Sequence, residues 1–144
     1  MSVATYDDAN LILRLYDMRR EAKMREARNW FFANFQFKTL TELQDMAPMG
    51  SEPNAYFRQF TSYWDMVASF INNDVLSADL FFQSNREMLI AYLRVAPILA
   101  EAREAYKDPT YLANLEKGGL LQRDWIIEHA GQEAYDTLKA RVAG

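Results

Sequence analysis

The sequence predicts an all-α fold, a single-domain helical bundle of about six helices with a long central helix pair. Three observations carry this. Apolar residues recur near a 3.6-residue period over most of the chain. Only 5 Gly and 4 Pro interrupt 144 residues, and half of the residues are hydrophobic, enough for a sizeable core. No β-hairpin signal, internal repeat or low-complexity tract is present. Residues 1–144 therefore read as one helical domain.

The elements follow in order. Asp7 or Asp8 can cap a first helix running to about Phe35, with Ile12, Leu15, Tyr16, Ala22, Ala27, Trp30 and Phe31 on its apolar side. A short helix is expected over Thr41–Met46. Pro48, Gly50 and Pro53 mark a loop. Asn54 can cap the next helix, Ala55 to about Asn72. One of its rows reads Phe57, Phe60, Trp64, Val67, Ile71, and a second reads Tyr56, Tyr63, Met66, Phe70. Only Arg58, Ser62, Asp65, Ser69 and Asn72 stay polar, so this helix needs neighbours on several sides and belongs at the centre, with Trp64 buried.

Asn72-Asn73-Asp74 can end that helix, because Asn and Asp tolerate left-handed backbone and bond locally. Ser77 then caps a long helix to about Tyr106, with Asp79 in its first turn and Met88, Leu89, Tyr92, Leu93, Ala96 and Leu99 inward. Pro97, lacking an N–H, predicts a kink or break. Asp108-Pro109 opens a shorter helix ending at Gly118-Gly119. Leu120–His129 makes another around Trp125, and Gln132–Val142 the last, after Gly131.

Composition excludes much chemistry. Without cysteine there is no disulfide, thiol catalysis or thiolate metal site, which fits a reducing compartment. The net charge of −4 offers no general attraction for nucleic acid or an anionic membrane. No segment approaches the ~18 apolar residues of a membrane span, and the start lacks a signal-peptide pattern. A cytoplasmic protein without membrane insertion is expected. "NNDVLSAD" fails the EF-hand pattern, with Leu76 and Ser77 where oxygen and glycine are needed. One histidine, His129, forbids two-histidine metal sites within one chain and suits a helix end. No GxSxG, Walker A loop or GxGxxG occurs. No metal or cofactor is expected.

Two features remain. Asp65 is a carboxylate on the central helix, either a hydrogen-bonded stripe residue or one partly buried against a first-helix arginine. Arg14, Arg19, Arg20, Lys23, Arg25 and Arg28 stand against Asp17, Glu21 and Glu26, a cationic segment in an acidic chain. It reads as a salt-bridged helix face, or as an arginine face for an acidic partner or phosphates.

With the segments placed, "REARNWFFANF", "FTSYWDMVASFINNDVLSADLFF" and "APILAEAREAYKDPTYLANLE" resemble three blocks of an uncharacterised family of bacterial all-helical proteins, a domain of unknown function. The resemblance spans about Leu11 to Glu116 and implies a fold, with no activity, cofactor or catalytic residue. Members often carry an N-terminal membrane helix, which this sequence lacks.

The expected function is a non-enzymatic, intracellular interaction or scaffold module with a protein partner, a homodimer by default. An outward aromatic patch of Phe32, Phe35, Phe37 and Tyr56 would serve it. The alternative is a small-molecule-binding or hydrolytic bundle using Asp65 with first-helix arginines. Candidate site residues are Asp65, Arg19, Arg20, Lys23, Phe35, Phe37 and Tyr56.

Overall fold

A computed structural model describes residues 3–143. Among the described residues there is no strand and there are eight helices: α1 (Tyr6–Arg20), α2 (Ala22–Asn34), α3 (Leu40–Met46), α4 (Glu52–Asn72), α5 (Ala78–Ser84), α6 (Glu87–Tyr106), α7 (Ala113–Ala130) and α8 (Gln132–Ala143).

Two helices expected to be continuous are broken. The first divides at Glu21, whose backbone is extended (φ −61°, ψ 144°) and whose carboxylate accepts the Met24 N–H at 3.1 Å. Its beginning is also shifted: Thr5 holds the cap position, and Asp8 in the first turn accepts the Thr5 N–H at 2.8 Å. Tyr16 and Ala22 consequently face solvent while Leu15 stays buried. The second divides at Asn85 (φ −138°, ψ 138°), whose Oδ1 accepts the Met88 N–H at 3.4 Å. Beyond it α6 runs without interruption through Pro97.

One expected break is absent. Gly118-Gly119 lies inside α7, buried. A Cβ on Gly118 would stand 2.8 Å from Ala68 Cβ, and one on Gly119 2.7 Å from Tyr92 Cβ. The pair lets α7 press against both α4 and α6, so it marks close approach rather than a helix end. Asp108-Pro109 is a turn, in which Asp108 Oδ1 accepts the Thr110 N–H at 2.9 Å. Ser51, not Asn54, caps α4, and Asn54 Nδ2 donates to the Ala47 carbonyl.

The 72–77 segment behaves as local chemistry dictates. Asp74 adopts φ 57°, and the Ser77 hydroxyl accepts the Leu80 N–H at 3.3 Å. The α4 row Phe57, Phe60, Trp64, Val67 and Ile71 is entirely buried, Trp64 fully. Phe31 stacks on Phe35 and Phe60 (centroids 4.9 and 4.3 Å), and Phe35 on Phe57. α4 packs chiefly on α7 and α2 rather than on α6. A smaller core of Leu89, Ile126 and Tyr135 joins α6, α7 and α8.

Candidate functional site

The half-buried Asp65 meets the first turn of α7. Its Oδ1 accepts the Leu115 N–H at 2.9 Å, and nearby Asn72 Nδ2 donates to the Asn114 carbonyl at 3.1 Å. The residue at the head of α7, Leu112, has φ 51° and no capping side chain of its own. Asp65 supplies from α4 the acceptor that α7 lacks. Burial pushes its carboxyl above the usual range, against the opposing N–H groups of Leu115 and Asn114 and the charge of Arg103. Its partners are thus α7 amides, not arginines of the N-terminal helices.

Those arginines have another partner. Glu87, in the first turn of α6, has a side chain only 9% exposed. Arg19 Nη2 reaches its Oε2 at 3.2 Å, and Arg28 Nε reaches Oε2 at 2.8 Å and Oε1 at 3.1 Å. Arg19 also lies 5.4 Å from the Trp64 ring centroid, and Arg28 5.0 Å from that of Phe32. One carboxylate therefore ties α1, α2 and α6 together. Sequence reasoning missed Glu87, because its partners lie 59 and 68 residues away.

The remaining candidates disperse. Arg20 lies exposed over Tyr16, and Lys23 pairs with Glu26 at 3.6 Å in solvent. Phe35 is a core residue, Phe37 is half-buried edge-on to it, and half-buried Tyr56 donates its hydroxyl to Glu52 at 2.9 Å. The anticipated aromatic patch does not form, because the stack from Phe31 to Phe57 draws Phe35 inward. His129 is exposed near the end of α7, stacked on Trp125. Asp8, read only as a cap, also accepts the Ser77 N–H at 2.7 Å and clamps α1 to α5. The Thr5-x-x-Asp8 spacing was its only local signal.

What the fold leaves open is the outer face of α1. Asn10, Leu13, Arg14, Asp17, Met18 and Glu21 are all exposed there, Leu13 by 63% and Met18 by 44%. Beside it runs an open groove of about 570 Å³ between the α1–α2 elbow and α4, with Met18, Met24, Tyr63 and Met66 as apolar lining and Asp17 and Glu21 on the rim. The three methionines, unbranched and polarisable, adapt to varied apolar partners. The signal in the sequence was Leu13 and Met18, apolar residues standing outside the inward set Ile12 and Leu15. Among the described residues no group of three or more His, Asp or Glu side chains could hold a metal ion, and no helix is long and apolar enough to cross a membrane.

A family model described as a domain of unknown function (DUF4760) matches residues 4–118. The chain belongs to this family. The DUF4760 match begins just before α1 and ends inside α7, at the first of the two packed glycines. It includes Asp8, Glu87, Asp65 and the outer face of α1, and leaves α8 outside. No curated protein and no solved structure matches the chain.

Proposed function

We propose that this DUF4760 domain is a self-associating interaction module whose α1 outer faces pair across a two-fold axis, making it a non-enzymatic scaffold unit. The single observation that carries the reading is the charge and apolar order of that face. Two copies of α1 laid antiparallel about the midpoint between Leu15 and Tyr16 set Arg14 opposite Asp17 of the second copy. The same register sets Leu13 opposite Met18. Each contact occurs twice by symmetry, the property a two-fold interface requires. Tyr16, 49% exposed, adds apolar surface beside the pairing line. The methionine-lined groove would be partly covered, which removes more apolar area from water.

Light scattering across a dilution series tests this. The expected result is a concentration-dependent dimer that Leu13→Asp abolishes. Arg14→Asp should weaken association by roughly two- to thirtyfold, two exposed ion pairs at ~0.2–1 kcal/mol each. Arg14→Asp combined with Asp17→Arg restores the pairs and should recover it. A strict monomer at tens of micromolar, or a dimer indifferent to these substitutions, rejects the proposal.

A further inference from the structure

A second opening has the opposite character. A cleft of about 260 Å³ lies where the segment after α2, the middle of α6 and the end of α8 meet. Its charged lining residues are Lys38, Arg94 and Lys139, and among the described residues no carboxylate side chain lines it, in a chain of net charge −4. Phe37, Leu93, Pro97 and Val142 form apolar walls. Among the described residues none of the three cations forms an ion pair. Glu101, one turn along α6 from Pro97, is already engaged by the Leu40 N–H at 2.8 Å.

Arg94 is the central group. Its Nη1 donates to the carbonyls of Phe32 (3.2 Å) and Phe35 (3.1 Å), which terminate α2. Those bonds fix the guanidinium plane. Its Nε is buried without an acceptor, and Nη2 donates to no protein acceptor among the described residues. Nη2 is the guanidinium nitrogen left for a carboxylate or phosphate oxygen, in a charge-assisted bond. A desolvated cation without a counter-charge is unfavourable, and an oxyanion at Nη2 relieves it.

We propose that this cleft binds a small organic oxyanion, a carboxylate or phosphate ester carrying a compact apolar group. Arg94 holds the oxyanion through Nη2, and Lys38 and Lys139 add charge. The ring of Phe37 with Leu93 and Pro97 covers the apolar body. The volume lies below that of common drug-sized pockets, which limits the ligand to a compact one.

The test is an NMR titration of the ¹⁵N-labelled full chain with benzoate, phenyl phosphate, inorganic phosphate and benzyl alcohol. Benzoate or phenyl phosphate should shift the Phe37, Lys38 and Lys139 amides and saturate, and benzyl alcohol should not. Lys38→Glu and Lys139→Glu, both at exposed positions, should each weaken binding about tenfold at unchanged melting temperature. Arg94→Lys keeps the charge, loses the planar group that the Phe32 and Phe35 carbonyls hold in place and should weaken binding further. Because Arg94 also holds the end of α2, its melting temperature is read alongside, and the two Lys→Glu variants decide the matter if the fold loosens. No saturation with either organic anion at several millimolar overturns the proposal, as does binding that both Lys→Glu variants leave unchanged. Inorganic phosphate binding as tightly as phenyl phosphate overturns the apolar half of it.

Discussion

Asp8, Glu87 and Asp65 are carboxylates joining helices remote in sequence, each by a different balance of forces. Backbone N–H groups of Ser77 and Thr5 hold the Asp8 carboxyl below its usual value. Its stabilising contribution is therefore complete above the unfolded-state value and lost as pH falls through the lower folded one. Asp65 has the reverse sign: with a folded value raised by burial, protonation on acidification favours the folded state. Asp8→Asn should accordingly flatten the acid limb of a stability-versus-pH curve, and Asp65→Asn should steepen it, as read by urea denaturation between pH 3 and 6. Glu87→Gln leaves two arginines facing a neutral amide. Breaking a buried pair costs about 3–5 kcal/mol, and partial exposure of both arginines lowers the expectation to about 2–3 kcal/mol. A urea midpoint equal to that of the parent protein would show the cluster to be idle. The pairings between remote helices were not legible in sequence, since local spacing exposes i,i+3 and i,i+4 partners only. The basic cluster was visible, whereas the acid that receives it was not.

Some helix ends governed by local side-chain chemistry were legible, although the caps Thr5 and Ser51 stand before the expected Asp7 or Asp8 and Asn54, and ends governed by packing were not. Ser77 and the Asn72–Asp74 turn could be read because their oxygens and backbone tolerance act within a few residues. The break at Glu21 falls at a residue with good helix propensity. It forms where Leu15 and Asp8 direct α1 toward α5 and α4 while Phe31 binds α2 into the aromatic stack. Gly118-Gly119 misled for the same reason, as a glycine pair looks alike at a helix end and at a helix crossing. Gly119→Ala tests the crossing. Its methyl would meet Tyr92 Cβ, which cannot swing away, at a cost of roughly 1–3 kcal/mol, offset by about 1 kcal/mol of helix propensity. A net loss of stability is expected, and a gain would mean that α7 sits further from α6. Capping gives the element's second test. Asp65→Ala removes the acceptor for α7 and should cost ~1 kcal/mol, whereas Asp65→Asn retains an oxygen and should be close to neutral at pH 7.

Across the whole molecule, burial is uneven, and that sets the order in which parts should open. α4 and α6 each bury eight residues, α1 only Asp8 and Leu15, and α8 only Tyr135. Amide hydrogen exchange follows the free energy of local opening, so α4 and α6 should exchange most slowly and α1 and α8 fastest. The two weakly anchored helices differ in one respect, since only α1 carries the face assigned to pairing. Raising protein concentration should slow exchange in α1, because a dimer must open before that helix can, while α8 should exchange at the same rate throughout. Equal slowing of both would point to a general change in stability. Slowing of α8 alone would place the contact at the other end of the molecule, beside the cationic cleft. If light scattering reported a dimer while α1 exchange stayed independent of concentration, the interface would lie elsewhere and the antiparallel α1 arrangement would be wrong.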